Sequence, residues 1–357
     1  MKMAKENPMK HDATSVKICV VGAGSWGTAL AHLLAAKGLA PVLWAYEPEL
    51  RDQIEKEHEN KLYLPGIQLA QGITVSNDLA GVVAGMDIVL MVVPSHLMRD
   101  VSTKMADSLN PEAIIVSASK GIENGTHLTM TGVLDETLKN IPKERLTVLS
   151  GPTFAREVAA NMPSVVTVAA ENQATAEYLQ QVFSAPLFRV YTNNDVVGVQ
   201  LGGAVKNVIA VASGVCDGLG LGLNPRAAMI TRGLAEMRRL GIALGADPHT
   251  FAGLAGVGDL ILTCTGNLSR NYTVGMKLGQ GMKLTDILSQ MRMVAEGVKT
   301  AKSIYNLSRR IGVEMPICNE MYAILYEDLE PKEAVFRLMT RSLKHEIDEE
   351  ISGNNGY

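Results

Sequence analysis

Several things are scarce in this 357-residue sequence, and each scarcity excludes something. Its four cysteines, Cys19, Cys216, Cys264 and Cys318, stand far apart with no C-x-x-C pair. Such spacing offers neither a metal motif nor a disulfide scaffold, so no metal is expected and a reducing cytoplasm is the natural compartment. Neither sign of charge dominates, since 33 Lys+Arg against 37 Asp+Glu leave a net −4. That balance lacks the basic footprint of a nucleic-acid binder and the polybasic face that anionic lipid attracts. The opening MKMAKENPMKHDATSVK has no apolar signal core, and residues 1–15 are expected to be a floppy tail. Without a secretory signal the Asn-x-Ser/Thr sequons at Asn124, Asn267, Asn271 and Asn306 carry no meaning. There is no internal repeat and no long low-complexity linker. The longest apolar run, around VQLGGAVKNVIAVAS (199–213), is interrupted by Gly202, Gly203, Lys206 and Asn207, which makes it a poor membrane span.

What is present alternates between two periods. Short apolar, β-branched runs occur at 17–22, 41–46, 87–93, 113–119, 146–151, 164–170 and 188–193, with helix-like stretches such as 28–38 between most of them. Strands read as near-continuous apolar runs when both faces are covered, the condition of a parallel sheet. The alternation predicts right-handed crossovers and a doubly wound, mainly parallel sheet. From about residue 195 the strands stop. Residues 224–245 show helical spacing, with Asn224 as the expected N-cap, Pro225 in the first turn and Gly245 at the C-terminal cap. The segments 299–312 and 333–350 continue the helical pattern. The expected organisation is the tail 1–15, an α/β Rossmann-like domain over 16–194, and an all-α domain over 195–357, with ligand chemistry at their junction.

VVGAGSWG (20–27) gives G-x-G-x-x-G through Gly22, Gly24 and Gly27, directly after a strand and opening a helix. In that context the glycines serve a tight turn, close approach of a pyrophosphate, and helix–strand packing, while the helix start favours the phosphates. The cofactor is therefore expected to be NAD(H) or NADP(H). The choice turns on the end of the second strand, LWAYEPE. An inward carboxylate there would hold the ribose 2′-hydroxyl. Tyr46 lies near that place with Glu47 beside it, and a one-residue shift of register turns Glu47 outward.

Lys206 is a lysine in a run apolar nearly all round, and such a helix is normally buried. Lysine is almost never buried without a partner or a use. Taken alone, these residues favour a snorkelling side chain. Asp259, in the apolar AGVGDLIL, reads alone as a cap or turn carboxylate. Taken with Lys206 it becomes the partner that a buried ammonium calls for. GVGDLILTCTGNLSRN (256–271) ends in Ser269, Arg270 and Asn271, a planar fork with two neutral donors suited to phosphate or carboxylate. Lys120 follows an apolar strand at the sheet edge where open parallel sheets bind ligands, and SGPTFA brings Gly151 and Thr153 to the same rim. A plain loop lysine is an equal reading of Lys120. His96 in VVPSH could be a base, but nothing completes a triad around it, so a cofactor-site neighbour or a loop histidine is favoured.

With those residues in view, the chain resembles the bacterial NAD(P)-dependent glycerol-3-phosphate dehydrogenase family. The resemblance runs from about residue 16 to 345 and rests on GAGSWG, VVPSH, ASKG, SGPTFA, GVQLGGAVKNV, ITRGLAEM, GVGDLILTCT, NLSRN and VAEG, in that order. It implies a homodimer that interconverts sn-glycerol 3-phosphate and dihydroxyacetone phosphate and supplies phospholipid synthesis. It further implies that Lys206 accepts and donates the proton and that Lys120 is a second substrate lysine reaching the cofactor, with Asp259 a catalytic position beside them. Gly151, Thr153, Asp259, Ser269, Arg270 and Asn271 match substrate positions. Ser25, Trp26, Ala155, Arg270, Val294 and Glu296 match cofactor positions. Tyr46 departs from the family, many of whose members carry a basic or histidine residue there.

On this reading a helical side chain overlies the turn before it, so Lys206 would meet Gly202 and Gly203, and those glycines would leave a hollow for the three-carbon substrate. Burial would lower the amine's pKa while Asp259 opposes the shift. Two competing readings remain: a related dehydrogenase whose Arg270 grips the carboxylate of a small hydroxy acid, and a redox sensor with no catalysis. Against the sensor stand two lysines, an aspartate and an anion clamp.

Overall fold

The computed structural model describes residues 16–291 and 293–346. The expected tail, 1–15, and residues 347–357, which include the end of the last expected helical segment at 347–350, lie outside the described residues. Eight strands form one sheet: β1 Ile18–Val21, β2 Val42–Trp44, β3 Thr74–Ser76, β4 Ile88–Met91, β5 Ile114–Ser117, β6 Leu146–Ser150, β7 Ser164–Ala169 and β8 Phe188–Asn193. Their order is β3-β2-β1-β4-β5-β6-β7-β8. The first six are parallel, as in a doubly wound dinucleotide-binding sheet, and the order reverses between β1 and β4. β7 pairs antiparallel to β6, and β8 runs parallel to β7. The sheet is thus mainly parallel, with a reversed edge.

The central strands β1, β4, β5 and β6 are buried throughout, because apolar clusters cover both faces of the sheet. β3 has no counterpart in the sequence reading. It is a three-residue edge strand, only partly buried, so it carries no apolar run. A third core fills the helical half. A small cluster of Val148, Ala169, Val196, Val199 and Ala255 joins sheet to helices.

The apolar run becomes the helix Val196–Gly218, the lysine helix, capped by the Asp195 side chain on the Gly198 N–H. It is long and apolar enough to cross a membrane, but 94% of its apolar window lies inside the fold. Its burial comes from close helix packing. A Cβ on Gly275 would stand 1.9 Å from the Val211 carbonyl oxygen, and one on Gly214 would stand 2.1 Å from that of Tyr272. The helix Arg270–Gly279 therefore lies backbone to backbone against the lysine helix.

Two helix boundaries differ from the sequence reading. The helix Leu223–Ala243 is capped by Gly222, not Asn224, while Gly245 takes the left-handed φ of 84° beyond its end. The last helix among the described residues is Pro331–Met339, so the helical pattern at 340–346 is not realised. Leu343 there is fully exposed, so among the described residues nothing covers the apolar face that a longer helix would present.

Candidate active site

The dinucleotide turn is built as its glycines require. Gly22 has φ +118°, and a Cβ on it would come within 2.8 Å of the Val92 carbonyl oxygen. A Cβ on Gly27 would sit 1.9 Å from the Gly22 carbonyl oxygen, so the turn folds tightly onto the first helix, Ser25–Ala36. Gly24 instead faces open space. It caps that helix without any side-chain hydrogen bond, leaving the first-turn N–H groups of Ser25, Trp26 and Gly27 to an anion. Asn60, which the sequence reading missed, braces the turn from beneath: its Nδ2 donates to the Ala23 carbonyl at 2.9 Å and to Thr28 Oγ1 at 2.8 Å. An open backbone cradle at a bare helix start fits a pyrophosphate.

Beyond β2, Tyr46 is 73% exposed and meets Trp44 edge-on with ring centroids 6.0 Å apart. Glu47 occupies the N-cap of the next helix, and its Oε1 accepts from the Tyr63 hydroxyl at 3.4 Å.

The lysine question resolves against snorkelling. Lys206 is 6% exposed, and its Nζ donates to Asp259 Oδ1 at 2.5 Å and to Thr263 Oγ1 at 2.7 Å. Asp259 is wholly buried, and its second oxygen accepts from Lys120 Nζ at 2.6 Å. Lys120 also donates to the Gly151 carbonyl at 3.3 Å. Two ammonium groups thus share one carboxylate, a local charge of +1, and each keeps one of its three N–H groups uncommitted. Burial, with repulsion from Lys120, lowers the Lys206 pKa to about 8 against the pull of Asp259. Burial pushes the Asp259 carboxyl up, but Lys120 and Lys206 together outweigh it and hold the group below its ordinary value.

A local device aims the carboxylate. The chain makes a π turn at Leu254–Gly258, in which Gly256 departs from helical geometry (φ −98°, ψ −107°), and then opens the helix Asp259–Thr265. Thr263 stands one turn after Asp259 and donates to the Asp259 carbonyl at 2.7 Å. The sequence reading missed Thr263, although its spacing of four from Asp259 on a helix was available as a signal.

The expected hollow over Gly202 and Gly203 is not there. A Cβ on Gly202 would stand 2.3 Å from the Ala255 carbonyl oxygen, because the π turn lies directly on it. A Cβ on Gly203 would meet Ser150 Oγ at 2.9 Å and Lys120 Cγ and Cδ at 3.3 and 3.4 Å. The glycines admit the protein's own π turn and the stem of Lys120. That close approach is what brings Asp259 and the second lysine to Lys206.

The anion residues gather beside this cluster. Ser269 caps the helix Arg270–Gly279 through its Oγ. Asn271 Nδ2 donates to Asn207 Oδ1 at 2.9 Å, and its Oδ1 accepts from the Gly297 N–H at 2.9 Å. This side chain therefore ties the lysine helix to the start of the helix Glu296–Ile311. Two helix N-termini consequently lie together, which favours an anion. Arg270 is accessible, yet the protein around it desolvates its charge enough to lower its pKa, opposed by Glu296. Glu296 accepts from the Ser95 N–H at 3.0 Å and from Ser95 Oγ at 2.5 Å. Ser95 is a third residue that the sequence reading missed, passed over in favour of its neighbour His96, which is exposed. Val294 lies partly buried in the loop before that helix, and Ala155 opens the short helix after the Gly151–Thr153 turn. Gly151 has φ +152°, and a Cβ there would come within 2.9 Å of Val166 Cα.

Two family patterns match the chain, one described as NAD-dependent glycerol-3-phosphate dehydrogenase N-terminus over residues 17–176, the other as its C-terminus over 195–336. The curated NAD(P)+ glycerol-3-phosphate dehydrogenase of Geobacter sulfurreducens is 58% identical over 332 residues, covering 93% of this chain and 99% of that one. Its namesake from Syntrophobacter fumaroxidans is 56% identical over 331 residues, covering 93% and 97% respectively. The crystal structure of glycerol-3-phosphate dehydrogenase from Coxiella burnetii superposes with a TM-score of 0.88 at 40% identity, over 92% of this chain and all of that one.

Proposed function

This chain belongs to the NAD-dependent glycerol-3-phosphate dehydrogenase family, and on that premise we propose how its own residues carry the reaction. It is an NAD(P)-dependent oxidoreductase acting on the CH–OH group of glycerol 3-phosphate, with dihydroxyacetone phosphate as the oxidised partner. The open backbone of Gly22, Gly24, Ser25, Trp26 and Gly27 would hold the pyrophosphate, with Tyr46, Lys120, Ala155, Arg270, Val294 and Glu296 around the rest of the dinucleotide. When bound, that cofactor supplies or accepts the hydride.

The single observation that carries the residue assignment is the buried Lys206–Asp259–Lys120 cluster. In the reducing direction Lys206 donates its uncommitted proton to the carbonyl oxygen as a C–H bond forms at the carbon, and is left as a neutral amine. In the oxidising direction the amine takes the hydroxyl proton back. Lys120 presents its remaining N–H to the same oxygen and stabilises the charge that develops there. Asp259 keeps both ammonium groups converged without neutralising the site. Arg270, with Ser269 and Asn271 around it and Gly151 and Thr153 on the opposite rim, holds the phosphate, so that binding energy remote from the reacting carbon orients it.

We assign the dinucleotide role to residues 16–194 and the substrate and dimer-forming role to 195–357. A cytoplasmic homodimer that supplies phospholipid precursors completes the proposal.

The test is kinetic. Lys206→Met should bind NADH normally, read by fluorescence, and lose turnover by roughly 10²-fold or more, the scale of a lost acid–base group. Arg270→Ala should lose most of the preference for dihydroxyacetone phosphate over dihydroxyacetone. Near-normal turnover in the first variant would move proton transfer elsewhere, and an intact preference in the second would reject the phosphate clamp. Running NADH and NADPH separately measures the cofactor choice.

A further inference from the structure

The phosphate cation carries a structural problem of its own. Arg270 opens one helix and Glu296 opens the next. The Asn271 bridge to the Gly297 N–H pins those two helix starts together. Their charges act on each other. Where an arginine and a carboxylate can meet, they frequently join as a two-pronged ion pair. Such a pair would spend the fork that the substrate phosphate needs. Yet among the described residues Arg270 has no hydrogen-bond or ion-pair partner, and Glu296 turns both of its oxygens to Ser95.

Ser95 comes from the other half of the molecule, in the turn that follows β4. It is 4% exposed, and both its backbone N–H and its hydroxyl point at the carboxylate. Its seat depends on Gly121, the residue after Lys120, where a Cβ would stand 2.5 Å from Ser95 Cβ. His96 and Lys299 share the neighbourhood, the former feeling both Lys299 and Glu296.

We propose that Ser95 is a positioning residue for the phosphate site: by holding the Glu296 carboxylate across the domain junction, it keeps the Arg270 guanidinium unpaired and available to the substrate phosphate. The proposal rests on the reading of Arg270 as the phosphate clamp. Its consequence is that substrate affinity depends on a serine that touches no part of the substrate. Removing the hydroxyl leaves only the Ser95 N–H on the carboxylate and frees the second Glu296 oxygen to turn to Arg270, and the substrate phosphate must then displace an internal anion.

The experiment is a double-mutant comparison on the full-length enzyme with dihydroxyacetone phosphate and NADH. Ser95→Ala should raise KM for dihydroxyacetone phosphate about tenfold, the scale of one charge-assisted hydrogen bond, with kcat within about threefold of the parent. Adding Glu296→Gln to that variant removes the competing anion and should return KM towards the parent value. The Kd for NADH, measured separately by fluorescence, reports any cofactor effect of position 296 and should not follow the KM pattern. An unchanged KM in Ser95→Ala overturns the proposal, as does a raised KM that Glu296→Gln leaves in place, since a merely structural serine would not be rescued by losing a charge elsewhere. Arg270→Ala separates the premise: if that variant keeps its preference for the phosphate ester, the clamp reading fails and the proposal fails with it.

Discussion

At the scale of single residues, Lys206 is defined by what surrounds it. Desolvation and the nearby Lys120 ammonium bring its pKa down to about 8, with Asp259 resisting. Reduction needs the protonated amine, so kcat/KM for dihydroxyacetone phosphate should fall as pH rises through about 8. Oxidation of glycerol 3-phosphate needs the free amine and should rise through the same range. In Asp259→Asn the opposing attraction is gone, so both limbs should move to lower pH. Steady-state pH profiles in the two directions check this, and parallel limbs in both directions would remove Lys206 from the proton transfer. The sequence made the lysine conspicuous and named its partner, because a charge in an apolar run can be seen without coordinates. It could not make Ser95 conspicuous, since a serine beside a histidine in a turn looks like any other loop residue.

At the scale of elements, the lysine helix Val196–Gly218 is a meeting place. The π turn 254–258 lies on Gly202, the Lys120 stem on Gly203, and the helix Arg270–Gly279 on Gly214. Gly202→Ala would set a Cβ 2.3 Å from the backbone oxygen of Ala255, where no flexible side chain can yield. It should lower unfolding free energy by about 1–3 kcal/mol, the usual cost of overpacking. Turnover should fall at least tenfold, because the same displacement withdraws Asp259. Urea unfolding and steady-state kinetics on one preparation test it, and a variant of parental stability and activity would show that the contact can relax. The element pattern was legible where both faces of a strand or a helix are covered. It was not legible at β3, a short half-exposed edge, or at 340–346, where residues with helical spacing stay exposed among the described residues.

At the scale of the whole molecule, the two halves are joined by more than the chain. Gln200 exchanges hydrogen bonds with Thr131 at 2.8 and 2.9 Å, and Ser303 donates to the Ile122 carbonyl at 2.8 Å. Lys120 crosses to Asp259 and Ser95 to Glu296. The apolar cluster of Val148, Ala169, Val196, Val199 and Ala255 has members from both halves. A junction built this way should make unfolding a single cooperative event, so scanning calorimetry should give one transition whose calorimetric and van't Hoff enthalpies agree for the cooperative unit. Two resolved transitions would show that the halves melt independently and that the junction does not couple them.

By itself the sequence determined the sheet-then-helix order, the dinucleotide turn and the identities of the charged residues, because periodicity, glycine spacing and a charge out of place are local properties of the chain. The tertiary structure decided which groups share a proton-bearing cluster and what the paired glycines are for. Both depend on how closely backbones more than fifty residues apart can approach, and the glycines at 202 and 203 read equally well as a space for ligand or a space for protein until the packing against them is known.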